Sequence, residues 1–109
     1  MRLQADVPTG APPEFLLIEH FLPHVGKAFR FQDTAYVLPL LTIVSDDRPL
    51  PERVKRRPFT LIFRDARQRE WLAEGSYRCS IEDGPTYSIY VAPIQTLEPE
   101  FQDYQAVFN

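Results

Sequence analysis

The sequence predicts a mainly β protein: a small six-stranded antiparallel barrel or sandwich with one short N-terminal helix. Three observations point there. Apolar residues recur with a period of two along most of the chain, which is the mark of half-buried strands. Eight Phe and five Tyr favour strands over helices. Eleven Pro against four Gly interrupt the chain too often for long helices. A length of 109 residues suits one domain, and 44% hydrophobic with 25% charged residues is a globular rather than a disordered composition.

In chain order, residues 1–13 read as an N-terminal arm, with Pro8, Gly10, Pro12 and Pro13 among small or polar residues. Residues 14–109 read as the β-rich domain. Glu14 to Leu22 is the predicted helix: Pro13 and Glu14 suit its first turn, and Phe15, Ile18, Phe21 and Leu22 give it an apolar stripe. Pro23 ends it and Gly26 turns the chain. Phe29 and Phe31 then alternate with polar residues in a first strand. Gln32-Asp33-Thr34 is a tight connection into a longer strand, Ala35 to Val44, whose two apolar faces suggest cover on both sides. Pro39 inside it implies a bulge or an edge. Residues 45–57 form a long polar loop. Phe59, Leu61 and Phe63 mark a third strand, and Trp71 and Leu72 in the next connection are expected plugs. Ser76 to Ile81 and Thr86 to Ala92 flank the hairpin signal Asp83-Gly84. The last strand is Asp103 to Phe108. Tyr77, Ile89, Val91, Leu61, Phe63, Phe29 and Phe108 are predicted to share one core.

Charge is unevenly spread. The net is −3, yet residues 48–69 hold eight of the twelve basic side chains against only Glu52 and Asp65. The segment Arg48 to Arg57 is the candidate partner-binding surface, through Arg48, Arg53, Lys55, Arg56 and Arg57. Its prolines fix φ and lower the entropy lost on docking. A nucleic-acid footprint is the competing reading of 48–69, disfavoured by a pI of about 5.3 and by phenylalanines that alternate as core residues. Arg64 is expected to snorkel or to pair with a cross-strand acid.

Signals for chemistry are sparse. His20 and His24 are four apart, but Pro23 lies between them and the H-E-x-x-H pattern is missing, so no metal site is assigned. Cys79, the single cysteine, alternates with Tyr77 and Ile81 on the inward face and reads as a small hydrophobe rather than a nucleophile. Glu98, Glu100 and Asp103 read as surface charge. No phosphate-cradling glycine motif is present, so no cofactor and no catalytic residue is assigned. No apolar run approaches the ~20 residues of a membrane span, and the first residues lack a signal-peptide layout, which sets a cytoplasmic expectation.

Certain stretches resemble a small bacterial family of unknown function. They are Phe21 through Gly26 to Phe29, Phe59-Thr60-Leu61-Ile62-Phe63, Leu72-Ala73-Glu74-Gly75-Ser76-Tyr77, Pro93-Ile94, and the closing Tyr104-Gln105-Ala106-Val107-Phe108-Asn109. The resemblance covers roughly residues 15–109. Where such proteins often carry a histidine after the Gly-Ser-Tyr strand, this chain has Cys79-Ser80-Ile81. The resemblance implies a genomic neighbourhood with proteins like phage-tail collar domains, and it supplies no catalytic residues. The leading expectation is a non-enzymatic protein-binding or assembly domain, its partner another protein or a second copy of the chain. The alternatives are a small enzyme with its site at a barrel mouth, and nucleic-acid binding through residues 48–69. No membrane partner is expected.

Overall fold

The structure, a computed structural model, describes residues 15–54 and 56–109. The expected arm at 1–13 therefore lies outside the described residues, as does Glu14. Six strands follow a short helical segment: β1 (Ala28–Phe31), β2 (Val37–Ser45), β3 (Phe59–Ala66), β4 (Gly75–Ile81), β5 (Thr86–Ile94) and β6 (Phe101–Phe108). All neighbours pair antiparallel, in the order β1-β2-β3-β6-β5-β4, and β4 closes the barrel onto β1. The predicted class and all six strands are present.

The strands form where alternation puts large side chains inside. Phe63 on β3 meets Phe29 and Phe31 of β1 edge-to-face, with ring centroids 5.0 and 5.6 Å apart. Phe59 and Phe108 are cross-strand partners and stack at 4.6 Å. Of the predicted core, Phe29, Leu61, Phe63, Ile89 and Val91 are buried, and Tyr77 and Phe108 pack against them half-buried. The two tight hairpin turns, β1–β2 and β4–β5, each rest on an aspartate in the left-handed region, Asp33 at φ 64° and Asp83 at φ 56°, where Asp is among the better-tolerated residues.

Two features differ from expectation. On β2, Leu38 and Leu40 are buried while Val37 and Leu41 are exposed, so only one face of this strand is covered. The bulge that Pro39 suggested falls between Leu40 and Thr42; Leu41 points outward by alternation, and the extra residue brings Ile43 rather than Thr42 back against the core opposite Leu61. The helical segment is also tighter and later than predicted. It consists of two successive 3-10 turns, Ile18–His20 and Leu22–His24. Pro23 does not end the segment as expected but sits inside the second turn, near its start where no N–H is needed. Its bias of Leu22 away from α geometry leaves two short 3-10 turns in place of one α-helix. The first turn is closed by the Leu17 N–H, which donates to His20 Nδ1 at 2.8 Å.

That segment completes the barrel. β6 pairs along its full length with β3, but meets β5 only at Ala92–Ile94 against Asp103–Gln105. Beyond those pairs the two strands part. Phe21, fully buried, fills the opening between Tyr87 and Phe108 at 5.4 Å from each, and touches Phe59 at 5.8 Å. The chain then passes through Gly26, at φ 88°, where the N–H donates to Leu40 O and leads into β1. Leu72 is the counterpart at the other end. It is 3% exposed, and its N–H donates to the hydroxyl of buried Tyr104 at 2.9 Å.

Candidate functional site

The barrel interior is packed with side chains, which leaves the connections at its two ends as the surfaces that differ from a plain scaffold. The β2–β3 connection, residues 46–58, emerges at one end. Val54 N–H donates to Pro51 O and closes a turn at its tip. The neck is pinned by Arg57, whose guanidinium donates to Asp46 O and, at 2.7 Å, to Arg48 O. Arg48 bonds Asp46 through both side chain and backbone, and these bonds hold the Asp46 carboxyl below the usual carboxylate range. Arg56 turns back onto the barrel. It donates to Leu16 O and to Asn109 O, and its guanidinium lies over the Phe15 ring at 4.4 Å.

The five basic residues singled out by sequence thus have different places. Arg56 and Arg57 face inward and fix the loop. Arg48 and Arg53 are exposed, and Lys55 lies outside the described residues. Between the pinned neck and the turn, Pro49, Leu50, Pro51, Glu52 and Arg53 all face solvent. The outcome is a stiff knob with an apolar centre, Leu50, between two prolines. An open cleft of about 770 Å³ beside it is lined in part by Val44, Val107 and Phe108.

The rest of the basic run is elsewhere. β3 is eight residues long, roughly 26 Å at strand rise, so Arg67 and Arg69 lie at the opposite end from the knob. Arg64, on the outer face of β3, makes a two-pronged contact with Asp103 on β6, at 2.8 and 2.9 Å. These two residues are register partners, and the hydrogen bond raises the Arg64 pKa further. Asp103 is buried, so it belongs to this pair rather than to an acidic surface cluster; Glu98 and Glu100 remain exposed.

At that opposite end the β3–β4 and β5–β6 connections are bound together. Arg67 N–H donates to Glu100 O and its Nε donates to Pro99 O, each at 2.8 Å. Gln102 is buried and satisfied, its Nε2 donating to Ile94 O and Asp103 O. Between the connections runs a groove of about 800 Å³ lined by Trp71, Pro93, Ile94 and Leu97 among others. Trp71 is 58% exposed and Leu97 is 99% exposed. Trp71 is therefore not the plug that the sequence suggested; Leu72 alone has that role, because only it reaches Tyr104. Sequence reasoning missed this groove. Its one signal was a large apolar residue, Leu97, among polar neighbours without alternation.

The residues considered for chemistry do not converge. Cys79 is fully buried on the inner face, and desolvation pushes its pKa up to about 12. His20 and His24 sit in separate 3-10 turns. His20 Nδ1 is occupied by Leu17, while His24 Nδ1 is buried without a partner among the described residues. His24 packs so tightly on Gly84 that a Cβ there would meet its ring at 3.0 Å. Among the described residues no three His, Cys, Asp or Glu side chains group as metal ligands, and no helix is long and apolar enough to cross a membrane.

No curated protein and no solved structure matches the chain. A family model does match, over residues 16–108, and its span coincides with the barrel and its Phe21 segment. The chain belongs to the family described as "Domain of unknown function (DUF6916)".

Proposed function

We propose that this is a non-enzymatic protein-binding domain, an assembly module of a bacterial phage-tail-like system, working through its end loops. The observation that carries the reading is the knob at residues 49–53. Arg57 bonds to Asp46 O and Arg48 O pin its neck, so an exposed, proline-flanked Leu50 is presented with little conformational freedom left to lose. Arg53 provides charge beside it, Arg48 is exposed but paired with Asp46, and Arg56 and Arg57 hold the loop in shape. The tail-like setting follows from the motif resemblance, and a cytoplasmic location accords with one buried, unpaired thiol at Cys79.

The test compares immobilised wild type with a loop variant, Leu50→Asp/Arg53→Glu, as baits in extract from the native cell. A protein retained by the wild type and lost by the variant supports the reading. Identical retention by both, with the variant shown to be folded by circular dichroism, overturns it.

A further inference from the structure

We infer that the partner of the knob is a second copy of this chain, docked head-to-tail, the knob of one copy entering the Trp71–Leu97 groove of the next. The inference rests on the protein-binding reading and adds its partner. Three observations lead to it.

The first is placement. The 46–58 loop leaves β2 and enters β3 at one end of the barrel, and the groove lies where β3 ends and β6 begins. Surfaces at opposite ends cannot meet within one molecule. They meet between molecules, as a heterologous contact that closes into a ring or extends into a filament.

The second is charge. Residues 46–58 carry five basic side chains against Asp46, Asp47 and Glu52, a formal +2. The two connections that flank the groove, residues 67–74 and 95–100, carry Arg67 and Arg69 against Glu70, Glu74, Glu98 and Glu100, a formal −2. The one charged residue of the lining itself is Arg67, turned onto Pro99 O, and the acidic charge sits at the rim, on exposed Glu98 and Glu100 beside Leu97. The loops are complementary although the whole chain is acidic, and such complementarity steers and registers an encounter.

The third is shape and polarity. The knob offers one aliphatic side chain, Leu50, between prolines whose rings stiffen it. The groove offers an aromatic plane, Trp71, a wholly exposed Leu97, and the walls Pro93 and Ile94. An exposed Trp facing an apolar knob is the composition of an interface centre, with Arg53 against Glu98 and Glu100 as its charged rim. Both surfaces are braced before contact, the knob by Arg57 and the groove by Arg67.

Sedimentation velocity on the full chain tests this. For the wild type, the sedimentation coefficient rises with protein concentration at low salt and falls towards the monomer value near ~0.5 M salt, where screening is short-ranged. Two charge-reversed variants, Arg48→Glu/Arg53→Glu and Glu98→Lys/Glu100→Lys, each associate at least about tenfold more weakly alone, about 1.4 kcal/mol. Mixed in equal amounts they recover association, because every knob then faces a groove of opposite sign. Leu97→Asp, at a fully exposed position, abolishes association without lowering thermal stability. A wild type that stays monomeric at every concentration overturns the second copy as partner and leaves the binding reading to its own test. Variants that associate as the wild type does, or that fail to recover on mixing while folded, overturn the proposed interface.

Discussion

Replacing Phe21 by Ala tests whether the 3-10 segment is an integral wall of the barrel or a dispensable cover. Phe21 is fully buried and contacts Phe59, Tyr87 and Phe108 at ring distances of 5.4–5.8 Å. It fills the place where β5 and β6 have no pairing, so little could collapse into the space it leaves. A buried Phe→Ala change costs about 3–5 kcal/mol, near the upper end where the surroundings cannot relax. That is a large share of the ~5–15 kcal/mol that holds a domain together. With an m-value of about 2 kcal/mol/M, the urea midpoint drops by roughly 2 M. Equilibrium urea unfolding followed by tyrosine and Trp71 fluorescence measures it, with Leu22→Ala as control. Leu22 is the next residue but 53% exposed, so its loss stays within about 0.5 kcal/mol. A Phe21→Ala loss below ~1 kcal/mol, or equal losses for the two variants, would refute the argument.

Other outcomes follow from single contacts. Cys79, its pKa pushed up to about 12 by burial, reacts with iodoacetamide only at the rate of unfolding at neutral pH; rapid native labelling contradicts its placement on the inner face. His24 has a lowered pKa, through burial first and Lys27 second, so the unfolded chain binds more protons than the native one as pH falls. Its contribution to stability is full above the ordinary histidine value of about 6.5 and is lost as pH drops through that value; His24→Gln flattens the slope of melting temperature against pH between ~7 and ~5, and an unchanged slope rejects this cause. Arg56→Gln removes the bonds to Leu16 O and Asn109 O, so limited proteolysis accelerates around residues 15–20 while Arg53→Gln changes nothing there; equal digestion patterns would show that Arg56 is no brace.

The fold was legible because alternation is a local signal. Phe59-Thr60-Leu61-Ile62-Phe63 and Tyr87 to Val91 put alternate side chains inside, whatever the rest of the chain does. The chain connectivity around the barrel was not legible, since the pairing of β6 with both β3 and β5 joins segments with no local relation. The site was legible in part. A proline-rich basic loop is visible as composition, but the difference between inward Arg56 and outward Arg53 depends on Leu16 O and Asn109 O, which come from distant parts of the chain. Asp103 and Glu98 read alike in sequence; only register with Arg64 on the neighbouring strand buries the first and leaves the second in solvent. Trp71 and Leu72 are equally apolar neighbours, and the Tyr104 hydroxyl decides which one enters the barrel.

The central claim is that the two end surfaces meet, knob to groove. Two-dimensional amide NMR spectra recorded as the protein is concentrated from ~10 μM to ~500 μM test it most directly, over a range where weak homotypic affinities register. The account predicts shift changes confined to Leu50, Glu52 and Arg53 of the knob and to Trp71 with Thr96, Leu97 and Glu98 of the groove. Unchanged spectra, or changes centred on the outer barrel face around Val44 and Val107, would contradict it.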